Sequence, residues 1–135
     1  MTELWTLSAR GLPGGIARKD FSCTEVVEAH FRRIMAVNPG VNAIVKTLAD
    51  EARRDAAEAD RKVATGQALG PLHGVPFTIK ENIDVAGFPT TWGVPAFAGA
   101  IPPVDAPVVE RMRAAGAIAI GRTNLPRYGA AHAHR

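Results

Sequence analysis

The sequence predicts an α/β fold, with about three strands in an incomplete parallel sheet and helices packed on it. Short apolar runs of strand length, Ala43-Ile44-Val45, Val75–Ile79 and Ala117–Ile120, predict the strands. Segments of helical periodicity lie between them. Strand, crossover helix and strand, taken twice, imply parallel pairing with right-handed connections.

The first apolar stretch is punctuated. Ser8 is placed to cap a helix, but Gly11, Pro13, Gly14 and Gly15 follow almost at once. Proline costs about 3 kcal/mol and each glycine about 1 inside a helix. The segment is therefore expected to be frayed or broken.

Ser22-Cys23-Thr24-Glu25 has the form of a capping box and opens a helix from Cys23 to about Asn38, with Pro39-Gly40 as the stop. Val27, Phe31 and Ile34 give that helix one apolar face. His30 falls off this stripe and reads as a solvated helix histidine rather than a ligand. The run at Ala43–Val45 follows. Asp50 is expected to cap the next helix, which runs to about Thr65. Ala52, Ala56, Ala59 and Val63 mark its buried side, with Gly66 just past its end. Alanines allow close approach but bury little area, so this contact should be close and weak.

Val75-Pro76-Phe77-Thr78-Ile79 is the next strand, and it stops on Lys80. Ligands in open α/β sheets bind at the carboxyl ends of strands, so Lys80 is a candidate base. Lysines also end strands simply because the stem packs and the head reaches water. Glu81–Pro103 holds three glycines and four prolines and reads as a long irregular loop. Within it Trp92 either lines a pocket or covers the sheet edge. Asp105 is placed to cap a last helix, with Pro107 in its first turn and Val108, Met112 and Ala115 on its inner side. Ala117–Ile120 is the third strand, followed by Gly121-Arg122-Thr123-Asn124.

With 135 residues and 47% hydrophobic content, the chain suits one domain with a real core. Three regions divide it: mostly helical 1–69, the lysine strand with its loop, helix and strand at 70–126, and a tail at 127–135. The net charge is +3, and bases alternate with acids, as in Asp50-Glu51-Ala52-Arg53-Arg54-Asp55. No basic stripe with interleaved aromatics supports a nucleic-acid partner. Cys23 is alone, so no internal disulfide forms, which fits a reducing compartment and a small buried apolar side chain. The N-terminus lacks the pattern of a signal peptide, and no apolar run approaches the roughly 20 residues of a membrane span. A cytoplasmic protein without a membrane partner is expected.

Gly70–Gly93, GPLHGVPFTIKENIDVAGFPTTWG, resembles the segment around the catalytic lysine of the amidase signature family. Ser22–Ala49 resembles that family's N-terminal helix and first strand. Asp105–Pro126 is similar to its next helix, strand and turn. The resemblance covers nearly the whole chain but stops at Arg127–Arg135, where most relatives carry an acid at the position of Arg127. His132 and His134 in this tail have metal-ligand spacing, although a frayed or frame-shifted tail is the preferred account. No cofactor or metal is expected.

The resemblance implies a serine–serine–lysine set acting on a small-molecule amide. Lys80 matches the lysine residue by residue. It would take a proton from a bridging serine, which activates a nucleophilic serine toward the amide carbonyl, while a glycine-rich loop holds the oxyanion. To act as a base a lysine must be neutral, which means lowering its pKa from about 10.4 by roughly 3 units, about 4 kcal/mol. Val75, Phe77, Ile79 and Trp92 are the candidates to desolvate it once the sheet is complete.

The family's serines lie downstream of the matched stretch. The chain has two serines, Ser8 and Ser22, and both precede Lys80. Thr78 should face away from Ile79, and Thr90 and Thr91 lie in the loop with no oxyanion nest. The expectation is the N-terminal portion of an amidase, truncated before both serines and inactive alone. A non-catalytic remnant and the A subunit of the tRNA-dependent amidotransferase are the alternatives. Thr91-Trp92-Gly93 looks more like the free amidases. An incomplete sheet exposes an edge and apolar surface, so association with itself is expected.

Overall fold

A computed structural model describes residues 2–125. The tail beyond them, with the expected histidine pair His132 and His134, lies outside the described residues. The helices are α1 (Leu12–Ala17), α2 (Cys23–Val41), α3 (Ala49–Ala64) and α4 (Pro107–Ala114). The strands are β1 (Ile44–Thr47), β2 (Pro76–Lys80) and β3 (Ile118–Thr123). None of the described helices is long and apolar enough to cross a membrane.

The expected break at the first helix is instead a short helix, α1. Pro13 stands in its first turn, where its missing N–H is not needed. Gly15 lies against the Phe21 ring so closely that a Cβ would overlap it. The glycine therefore serves packing, and Leu12 and Ile16 on either side are buried. Ser8 does not cap α1; its Oγ accepts the Gly11 N–H at 3.1 Å in the turn before it.

The capping box of α2 forms as expected. Ser22 Oγ accepts the Glu25 N–H at 3.0 Å, and Glu25 Oε2 accepts the Ser22 N–H at 2.7 Å. Asp60 of α3 adds a second cap by accepting the Cys23 N–H at 2.6 Å and the Thr24 N–H at 3.1 Å. These bonds satisfy donors that every helix start leaves open, and they tie α2 to α3. The helix runs past Asn38 to Val41 with Pro39 inside it, so proline is not the stop. Asn42 ends it in the left-handed conformation (φ 51°), donating its N–H to Asn38 O at 2.7 Å. The Asn38 side chain then bonds Ile44 in both directions, at 2.8 and 2.9 Å, and starts β1.

Helix α3 begins directly after Leu48, with no side-chain cap, so Asp50 is not the cap. Asp50 and Glu51 sit in its first turn, where they complement the positive end of the helix. Ala52, Ala56 and Ala59 are buried as expected. Gly66, at φ 69°, closes the far end, with N–H bonds from Gly66 to Val63 O (3.2 Å) and from Gln67 to Lys62 O (3.0 Å).

The sheet order is β1-β3-β2. β2 and β3 pair in parallel, from Pro76 beside Ile118 to Lys80 beside Thr123, as expected. β1 pairs antiparallel with β3, so the sheet is mixed rather than wholly parallel. Parallel strands need cover on both faces, whereas Val45, Lys46 and Thr47 are all exposed, which an antiparallel edge strand tolerates. One apolar cluster lies between the sheet and α1–α3, including Ile16, Val27, Phe31, Ala56 and Ile120. A second, with Leu48, Ile79, Val85, Val109 and Ala119, fills the other face.

In α4 the buried residue is Val109, while Val108 is 55% exposed, against the expected phase. The reason is the cap. The N-cap is Ala106, and Asp105 is engaged elsewhere, accepting the Ala86 N–H at 2.8 Å and pairing with Arg113 Nε at 3.0 Å. Starting the helix later rotates its inner face by one residue.

Cys23 is fully buried, as expected. Burial pushes its thiol up to about 12, and the neighbouring Asp60 carboxylate adds to the shift. At pH 8 only about one thiol in ten thousand is then the reactive thiolate. Cys23 should therefore resist a disulfide reagent in native protein and react fully in denaturant. Fast labelling without denaturant would contradict this packing.

Candidate active site

β2 is fixed at both ends. The Gly74 N–H bonds Gly116 O at 2.9 Å, the Ile118 N–H bonds Val75 O at 2.8 Å, and the Glu81 N–H bonds Thr123 O at 3.1 Å. The pleat then decides the faces. Phe77 and Ile79 pack into the cluster with Val85 and Val109. Thr78 and Lys80 stand on the opposite face, both exposed, beside Gly121 and Thr123 of β3.

The expected apolar cover over Lys80 is not found among the described residues. Phe77 and Ile79 are on the wrong face, and Val75 belongs to the helical cluster. Trp92 is 40% exposed and lines a hollow with Asp84, Thr90, Phe97, Ile101 and Pro102. The physical reason is the pleat itself: a strand that buries Ile79 turns Thr78 and Lys80 outward.

The loop after Lys80 is built on a residue that no sequence motif singles out. Arg122 of β3 is 1% exposed and lies beside Ile79. Its Nη2 donates to Lys80 O at 3.2 Å and to Ile83 O at 2.8 Å, and its Nη1 donates to Pro89 O at 3.3 Å. Glu81 Oε1 stands 3.9 Å from its Nε. Burial weakens the guanidinium's hold on its proton relative to the usual arginine range, while Glu81 and Asp84 oppose that shift. One signal for it does exist in the sequence: a charge next to an apolar strand run must find partners if it is buried.

The hydroxyls of the loop are occupied. Thr91 Oγ1 donates to the Glu81 carboxylate, and Thr90 Oγ1 donates to Asp84 Oδ1 at 2.7 Å. The Trp92 N–H bonds Glu81 O at 3.3 Å, and Trp92 itself takes a left-handed φ of 52°. Ser22 is a helix cap and Ser8 closes a turn, so each hydroxyl of these four residues has a local structural role. His30 Nδ1 lies 2.8 Å from Val26 O on its own helix. His73, within the Gly70–Gly93 stretch, is buried with Nε2 3.1 Å from Ala59 O. No cluster of three or more His, Cys, Asp or Glu among the described residues is placed to hold a metal.

A family profile described as Amidase matches residues 25–134. An acylamidase of Rhodococcus erythropolis is 46% identical over 131 residues, which are 96% of this chain and 28% of that protein. The glutamyl-tRNA(Gln) amidotransferase A subunit of Salinispora arenicola is 41% identical over 128 residues, 95% of this chain and 26% of that one. Among solved structures, a bacterial aryl acylamidase of the amidase signature family superposes with a TM-score of 0.88 at 31% identity. That match covers 94% of this chain and 27% of the other. The chain thus spans about a quarter of the length of these relatives.

Proposed function

The chain belongs to the Amidase family, and from that premise we propose that Lys80 is the base of a serine–serine–lysine set that hydrolyses carboxamide C–N bonds. The observation that carries this reading is the position of Lys80. It ends a strand paired in parallel with β3, with its side chain exposed, and is followed by a loop pinned by a buried arginine. In the proposed reaction its amine takes the proton of a bridging serine. That serine takes the proton of the nucleophilic serine as it attacks the amide carbonyl. The amine or ammonia leaves with a proton, and water then cleaves the acyl-serine to release the acid.

The two serines and the oxyanion donors are proposed to come from polypeptide that seats beside the exposed Thr78 and Lys80. Its arrival would also remove water from the ammonium, which favours the neutral amine. The substrate class is a small carboxamide.

Coexpression with the remaining part of the Rhodococcus erythropolis acylamidase tests the reading directly. Neither piece alone is expected to release ammonia from a simple aliphatic amide, and the assembled pair is expected to do so. A stable pair that releases none would refute it.

A further inference from the structure

We propose that Arg122 is a positioning residue that aims Lys80 and holds the loop behind it, a role that rests on Lys80 being the base. Arg122 is anchored in the middle of the sheet. β3 is the central strand, and Arg122 pairs with Lys46 on one side and with Ile79 on the other. Its side chain points to the face opposite Lys80, so any influence on Lys80 passes through the main chain.

That connection is direct. The Lys80 carbonyl receives two hydrogen bonds, from the Ile83 N–H at 3.0 Å and from Arg122 Nη2 at 3.2 Å. The first closes the turn that ends the strand. The second ties that turn to the rigid middle of the sheet. The same nitrogen reaches Ile83 O, and Nη1 reaches Pro89 O nine residues along the loop from Lys80. One planar fork thus joins the start of the loop to its return.

The chemistry suits arginine alone. Among the described residues no carboxylate stands within hydrogen-bond distance of the guanidinium; Glu81 Oε1 is 3.9 Å away. The buried cation is used on carbonyls, and its loss would take this donor from Ile83 O and Pro89 O, while Lys80 O would keep only the Ile83 N–H. A lysine ammonium is a point charge and cannot span three acceptors in the geometry of the fork. The loop so held carries Glu81, Thr91 and Trp92, which are bonded to one another across it. Arg122 therefore fixes both the direction of the strand end and the wall nearest to it.

Amide hydrogen exchange on the chain as it stands tests this without any hydrolysis assay. In the wild type the Ile83 and Trp92 amides should be protected, because each has a main-chain acceptor. Arg122→Met should speed exchange across residues 81–92 by about tenfold or more and leave α2 and α3 unchanged. Arg122→Lys should show the same local pattern. Unchanged loop exchange in both variants would overturn the proposal. So would uniform loss of protection, or failure of both to fold, since either marks an ordinary core residue. In the active pair, Arg122→Lys should lower kcat by about 10–100-fold with KM little changed, as a misaimed base would. A pair that never hydrolyses an amide refutes the role of Lys80 and leaves the exchange result to be judged separately.

Discussion

Lys80→Ala is expected to lower amide hydrolysis by the reconstituted pair by about 10²–10⁴-fold, the usual contribution of a positioned general base. Lys80→Arg should be as inactive, because a guanidinium stays protonated and cannot accept the serine proton. Both variants also carry an internal control. Lys80 is exposed in the chain, so its replacement should change the stability of the isolated chain by no more than about 0.5 kcal/mol. Loss of hydrolysis with unchanged stability and unchanged pair formation would assign the lysine to chemistry. A Lys80→Ala pair that keeps most of its rate would remove it from the mechanism. Full-rate hydrolysis by the chain alone would be equally damaging, because its serines are committed to a cap and a turn.

The placement of Lys80 at a strand end is legible in the sequence because the signal is local. Five residues between glycine and proline punctuation have the length and composition of a strand, and a strand fixes where its last side chain stands. The capping box of α2 and the alanine stripe of α3 are legible for the same reason. The direction of β1 is not, because it depends on cover. Nothing within Ile44–Thr47 tells whether its outer face is wet, and that is what separates an antiparallel edge from a buried parallel strand. The environment of Lys80 escapes through the same gap. The apolar neighbours Phe77 and Ile79 are adjacent in sequence, yet the pleat puts them on the far face. Arg122 escapes because its acceptors are main-chain carbonyls, which leave no trace in side-chain composition.

The glycines of the Gly70–Gly74 turn read in the sequence only as punctuation, and at Gly74 the structure supplies a steric reason. Gly74 has φ 75°, and a Cβ there would lie 2.5 Å from Ile16 Cδ1 and 2.7 Å from Cys23 Sγ. Both contacts belong to the cluster that seats β2 on α1 and α2. Gly74→Ala should therefore cost twice: about 1–2 kcal/mol for a left-handed backbone and about 1–3 kcal/mol for overpacking. The sum is a large share of the 5–15 kcal/mol or so that typically holds a domain of this kind together. Gly66→Ala separates the two costs, since Gly66 has φ 69° and nothing within 4 Å of the added carbon. Its cost should stop at the backbone share. Urea titrations at constant slope would read the two variants, with Gly74→Ala the more destabilising by at least about 1 kcal/mol. Equal costs would mean that the chain entering β2 does not press on Ile16 and Cys23. The strand that carries Lys80 would then have lost the packing that fixes where it starts.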